Sequence, residues 1–139
     1  MVFKLLSIDI MIPYSKQTID ASDIKEVVKV LRSDFITQGP KVLEFEHKIS
    51  NFCGAKFAIS TNSATSALHV ACLSLGLKKG DTVWTSPNSF VASSNCALYC
   101  GAKIDFVDID LATHNLCPIK LEEKLKKIKT KNKLPKLVI

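Results

Sequence analysis

Apolar residues recur along this chain in two rhythms. Ile24, Val27, Val28 and Leu31 fall at i, i+3, i+4 and i+7, one face of a helix. The preceding Ile19-Asp20-Ala21-Ser22-Asp23 offers Asp20 or Ser22 as its cap. Thr37-Gln38-Gly39-Pro40 interrupts the pattern. A second helix is predicted from about Lys41 to Phe52, with Val42, Phe45, Ile49 and Phe52 facing inward and Gly54 able to end it. From there short strands alternate with helices. Phe57 to Ser60 reads as a strand. Ala64, Ala67, Leu68, Ala71, Cys72 and Leu75 make a helical stripe closed by Gly76. After a turn at Gly80-Asp81, Thr82 to Thr85 reads as a strand that Pro87 stops. Phe90 to Tyr99 reads as a helix closed by Gly101, Lys103 to Val107 as a strand with Asp108 and Asp110 at its end, and Leu121 to Ile128 as a helix. Leu137-Val138-Ile139 has the pattern of the first half of another strand. Alternation at this spacing predicts an α/β fold, a mostly parallel sheet with helices on both faces. No repeat or internal linker is visible.

Composition narrows this picture. The 139 residues are 47% hydrophobic, enough for one domain with a core and against disorder. No apolar run approaches the roughly 20 residues of a membrane span. The opening Met1 to Asp9 lacks the apolar core and cleavage site of a signal peptide. The net charge of +6 is local: Lys120 to Lys136 holds eight lysines against Glu122 and Glu123, and the remainder is balanced. That stretch has no aromatic residue and no arginine, so it reads as a solvated helix and loop rather than a nucleic-acid surface. The five cysteines, Cys53, Cys72, Cys96, Cys100 and Cys117, are odd in number and lack two-residue spacing. They read as buried thiols in a reducing cytoplasm.

Several chemistries are excluded by spacing. Gly39, Gly54, Gly76, Gly80 and Gly101 form neither a dinucleotide fingerprint nor a phosphate loop. His47, His69 and His114 have no metal spacing and join no Ser/His/Asp arrangement, so each is read as structural. What remains is the helix start Asn62-Ser63-Ala64-Thr65-Ser66, where small and hydroxylated residues leave backbone N–H groups open to a phosphate. A second segment, Thr85-Ser86-Pro87-Asn88-Ser89-Phe90, ends a strand with an aromatic ring. In a parallel sheet both lie beyond the carboxyl ends of strands, where ligands collect. A phosphate site beside an aromatic plate suits a flat, phosphorylated heterocycle.

These residues, taken in order, resemble the DegT/DnrJ/EryC1/StrS family of sugar-nucleotide aminotransferases. The resemblance runs from Pro13 to Ile139. It rests on Ile19-Asp20…Asp23-Ile24, Thr37-Gln38-Gly39-Pro40, Phe45-Glu46, Asn62 to Leu68 and Gly80-Asp81-Thr82-Val83. It continues through Phe90-Val91-Ala92, Asn95, Gly101-Ala102-Lys103 and Phe106-Val107-Asp108-Ile109-Asp110. Tyr14-Ser15, the Asn62 to Leu68 wording and Phe90 are most similar to the branch serving pseudaminic acid biosynthesis. The resemblance implies the amino-terminal part, residues 1–139, of a fold-type I large domain that binds pyridoxal 5′-phosphate. It implies a homodimer that converts a UDP-linked 4-keto-6-deoxy-N-acetylhexosamine to its 4-amino sugar, with glutamate as donor. Carried over by position, Ser63 caps the helix, and the amides of Ala64, Thr65 and Ser66 hold the cofactor phosphate with help from the Thr65 hydroxyl. Phe90 stacks on the pyridine ring. Gln38 and Gly39 lie near substrate and the dimer interface, and Asn88 and Asn95 face the pocket.

The family's catalytic lysine and its pyridine-pairing carboxylate match no position in these residues. No catalytic residue and no metal ligand is therefore assigned, and this chain by itself is expected to be inactive. Two other readings compete: a non-catalytic module that binds a phosphorylated ligand or a protein partner, and, more weakly, a nucleic-acid binder using the lysine stretch.

Overall fold

The computed structural model describes residues 12–128 and 134–139, which form two units, Met1–Ala58 and Ile59–Ile139. The Met1 to Asp9 segment and the lysine-rich loop at 129–133 lie outside the described residues.

In the first unit, α1 (Ala21–Leu31) starts at Asp20, whose carboxylate accepts from the amides of Ser22 (2.7 Å) and Asp23 (3.1 Å). The Asp20 amide donates back to Asp23 Oδ2 at 3.0 Å, completing a reciprocal cap. The second helix, α2 (Pro40–Cys53), has Pro40 in its first turn, where a missing N–H costs nothing. Gly39 before it has no room for a side chain: a Cβ would stand 2.8 Å from that of Phe35. A groove of about 500 Å³ lies between the helices, lined by the apolar Val27, Val30, Leu31, Ile36 and Phe45 together with the charged Glu26, Lys41, Glu44 and Lys48. The expected inward face of α2 is not buried. Val42, Phe45 and Ile49 stay partly open and Phe52 is 90% exposed. Two helices alone cannot cover their own apolar stripes.

The second unit alternates helix and strand: α3 (Ala64–Ser74), β1 (Thr82–Thr85), α4 (Ala92–Tyr99), β2 (Lys103–Phe106), α5 (Pro118–Lys126) and β3 (Leu137–Val138). The strands form a parallel sheet in the order β2-β1-β3. Thr82 pairs with Lys103 and Thr85 with Phe106 on one side, and Val83 with Leu137 on the other. Successive strand residues point to opposite faces. Val83 joins Cys72, Leu77, Cys96, Ala97 and Ala102 in the core under α3 and α4. Trp84, 3% exposed, faces the other way, and Lys124 of α5 lies 4.6 Å above its ring. Lys124 also pairs with Asp105 (2.6 Å) and donates to the Phe106 carbonyl (2.6 Å). Helices thus cover both faces, as the alternation predicts.

Helices α3 and α4 end alike. The Gly76 and Leu77 amides turn back onto the Leu73 and Cys72 carbonyls, and those of Gly101 and Ala102 onto Leu98 and Ala97. Both turns need a residue at positive φ, +68° at Gly76 and +73° at Gly101.

Three expectations are corrected. Phe57 to Ser60 is not a strand: β1 already has a neighbour on each side, no described strand pairs with this segment, and Phe57 and Ile59 are 75% and 80% exposed. The last helix starts at Pro118 rather than Leu121, because proline presets the first-turn φ. Of the cysteines, all free, Cys72, Cys96 and Cys117 are buried and Cys100 half-buried, but Cys53 is exposed at the end of α2. Burial, and then the neighbouring Cys96 thiol, push the Cys72 thiol up to about 11, so it is inert.

Candidate functional site

The short link from the end of α3 to β1 makes α3 run against the strands, and the Gly101 turn does the same for α4. With α3 packed on α4, both helix starts stand at the carboxyl end of the sheet. The loop 86–91 and the turn after β2 stand there too. The structure therefore brings Ser63–Ser66 and Asn88–Asn95 to one end of the second unit. Gln38 and Gly39 belong to the first unit, where Gln38 takes the left-handed conformation (φ +51°) just before α2.

Ser63 caps α3 in extended conformation (φ −161°, ψ 157°), and its Oγ accepts from the Ser66 amide at 3.1 Å. The Ser66 hydroxyl donates to Asn62 Oδ1 at 2.7 Å. Its single proton is thereby committed, so in the 3.0 Å contact between the Ser63 and Ser66 hydroxyls Ser63 is the donor. Thr61 Oγ1 braces the same turn by donating to the Ser63 carbonyl at 2.8 Å. The Ser66 amide, expected among the phosphate donors, is occupied by the cap. The Ala64 and Thr65 amides and the Thr65 hydroxyl have no partner among the described residues. No acidic side chain occupies the first turn of α3, so nothing offsets the positive end of its dipole. Asn62 stands in the predicted helix start, but the role of its side chain there was not read from the sequence. Its signal is the four-residue spacing to Ser66, which puts both side chains on one side of the turn.

Phe90 follows β1 on a loop tied by Ser86 Oγ, which accepts the Asn88 amide (3.1 Å), and by a 2.9 Å hydroxyl contact between Ser89 and Ser93. Its ring is 75% exposed, so an apolar plate faces solvent at the sheet end that carries the open amides. Asn88 turns its side-chain amide onto the His114 carbonyl at 3.2 Å, and Asn95 is half-buried in α4.

Of the histidines, His114 meets this end through its carbonyl. His69 stacks edge-on against Tyr99 at 5.3 Å, a packing role. The lysines of α5 are matched by acids: Lys120 by Glu123 (3.5 Å), Lys124 by Asp105 and Lys126 by Glu122 (2.5 Å). Among the described residues no cluster of three metal-ligating side chains exists, and no helix is long and apolar enough to cross a membrane.

The chain is similar to proteins of known family. The pattern of the DegT/DnrJ/EryC1/StrS aminotransferase family matches residues 17–135. The chain is 46% identical over 120 residues to a UDP-4-amino-4,6-dideoxy-N-acetyl-beta-L-altrosamine transaminase of Campylobacter jejuni, covering 86% of this chain and 31% of that protein. It superposes on a putative sugar aminotransferase of Streptococcus pneumoniae, solved in its PMP form, with a TM-score of 0.77 and 34% identity, over 81% of this chain and 28% of the other. On the Helicobacter pylori aminotransferase PseC, of pseudaminic acid biosynthesis, the values are 0.75 and 34%, over 91% and 33%. The chain spans about a third of the length of these relatives. Most of it, from residue 17 to residue 135, carries the pattern of one family, and the chain belongs to the DegT/DnrJ/EryC1/StrS aminotransferases.

Proposed function

We propose that this chain supplies the cofactor-binding start of a pyridoxal phosphate-dependent sugar-nucleotide aminotransferase. The observation that carries this reading is the pairing of open Ala64 and Thr65 amides with the exposed Phe90 ring at one sheet end. The donor set fits a phosphate monoester: two amides and one hydroxyl at a helix start without a competing carboxylate. Bound there, the cofactor supplies the electron sink that lets an amino group pass from donor to ketone. The chain's own residues bind and orient it. Thr65 and the two amides fix the phosphate, Ser63 and Asn62 hold the turn open, and Phe90 offers its face to the ring.

The substrate in this reading is a UDP-linked 4-keto-6-deoxy-N-acetylhexosamine, with glutamate as donor. The transaminase activity named for the Campylobacter relative and the likeness to the Helicobacter enzyme support that choice. Gln38, Gly39 and Asn95 are proposed on the substrate side, and the working form is proposed to be a cytoplasmic homodimer. Neither 62–66 nor 86–91 contains a lysine or a carboxylate, so these segments bind but transfer no proton. The 139 residues alone are proposed to be catalytically inert.

Pyridoxamine 5′-phosphate tests the reading, because it has no aldehyde to react with surface lysines. Titration of the chain should raise the ligand's fluorescence anisotropy saturably, and inorganic phosphate should compete. Thr65→Trp, which fills the helix mouth, should abolish the signal. A linear, unsaturable response would refute the site.

A further inference from the structure

Among the described residues, the loop that carries Phe90 has one side-chain tie to a distant part of the chain. Asn88 Nδ2 donates to the carbonyl of His114, 26 residues on, at 3.2 Å. His114 takes the left-handed conformation with φ +58°, uncommon for a residue with a side chain. Such a conformation persists only where its surroundings over-determine it, and it points to a role. Here the surroundings are dense. The His114 amide donates to the Asp110 carbonyl (2.8 Å), and the Asp110 amide to the Asn115 carbonyl (2.9 Å). Asp110 Oδ1 accepts from the Ala112 amide (3.1 Å), the Thr113 amide (2.9 Å) and the Thr113 hydroxyl (3.1 Å). These bonds, the Thr113 amide first, hold the Asp110 carboxyl below the usual carboxylate range. An antiparallel bridge between Ile109 and Leu116 closes the base, anchored below by buried Cys117, whose amide reaches the Asp108 carbonyl at 2.9 Å.

We infer that Asn88 and the turn Asp110–Asn115 form a brace that sets the Phe90 ring, making Asn88 a positioning residue rather than a ligand contact. The inference rests on the cofactor reading of Phe90. One residue, Ser89, separates Asn88 from Phe90, so the bond to His114 fixes where the loop crosses the sheet end. Phe90 is mostly exposed and does not hold itself by burial. A ring that stacks on a ligand gains affinity when its loop is ordered before binding.

Asn88→Asp keeps the shape and removes the donor, and Asn88→Ala removes the group, so one variant serves if the other fails to fold. Hydrogen exchange on the ligand-free chain reads the brace directly. The amides of Ser93, Ser94 and Asn95, which donate to the Phe90 and Val91 carbonyls, should exchange about fivefold faster or more, the worth of one hydrogen bond, while those of 112–115 stay unchanged. Affinity for pyridoxamine 5′-phosphate should fall about five- to tenfold, and the same change in a Phe90→Ala background should add nothing. Unchanged exchange at 93–95 overturns the brace. An equal further loss in the Phe90→Ala background also overturns it, because Asn88 then acts on the ligand itself. If Phe90→Ala alone leaves binding intact, the ring-stacking reading fails, and the exchange result still decides whether the brace exists.

Discussion

The two units are held by different physics. In the first, among the described residues of α1 and α2, only Ser50 is buried, and order comes from local devices. These are the Asp20–Asp23 cap, the Gly54 ending and ion pairs along one helix, Lys41–Glu44 (2.6 Å) and Lys48–Glu44 (2.7 Å). In the second, Val83, Cys96 and Ala97 are sealed from solvent between sheet and helices. Burial of apolar surface is worth about 25 cal/mol per Å², whereas an exposed pair on a helix gives about 0.3–0.5 kcal/mol. A site that must keep two amides and a ring in place is therefore better built on the second unit, which holds Ala64, Thr65 and Phe90.

The sharpest test compares two aromatic residues. Trp84→Ala should destabilise the second unit by about 3–5 kcal/mol, since it empties a buried site and removes the ring beneath Lys124. Phe52→Ala, at an exposed position, should stay within about 0.5 kcal/mol. Denaturant unfolding followed by circular dichroism reads both, and equal losses would break the contrast. Next in size, Gly76→Ala places a Cβ at φ +68° and should cost about 1 kcal/mol with no clash, because nothing lies within 4 Å of that Cβ. In the first unit Asp20→Ala should raise exchange of the first-turn amides of α1 by about fivefold and leave the sheet amides unchanged.

The same contrast decides what could be read from the sequence. β1 was legible to the residue, as Thr82–Thr85, because the Gly80-Asp81 turn and Pro87 bound a short strand whose partners are present. Phe57 to Ser60 has an equally apolar pattern but no partner among the described strands, and a pattern alone does not make a ladder. Phe52 sits on the correct helical face, yet a face is buried only if something covers it. Ser63 was legible as a cap because small hydroxyl side chains at that position have a fixed task. The Ser66 amide was not, since the proton order from Ser63 through Ser66 to Asn62 depends on side-chain directions. The bond from Asn88 to His114 joins residues with no periodic relation, and the left-handed His114 carries no glycine to announce it.

Acid gives the smallest effect and separates the units without mutation. Side-chain bonds from Lys41 and then Lys48 hold the Glu44 carboxyl down, to about 2. Lys124 likewise holds the Asp105 carboxyl below its usual range. A carboxyl depressed in the folded state stabilises above its unfolded pKa, and that contribution fades as pH falls through the folded value. Both contributions are thus complete at neutral pH; that of Glu44 fades from about pH 4.5 toward about pH 2, and that of Asp105 from about pH 3.8 downward. The exposed Glu44 pair is open to salt screening, and the Lys124 pair, whose lysine is three-quarters covered over Trp84, much less so. Exchange measured at pH 3 in low and high salt should show α2 loosening with added salt while the Trp84–Asp105 face holds. Equal salt sensitivity in the two would mean that Lys124 acts as a surface charge rather than as part of the packed face.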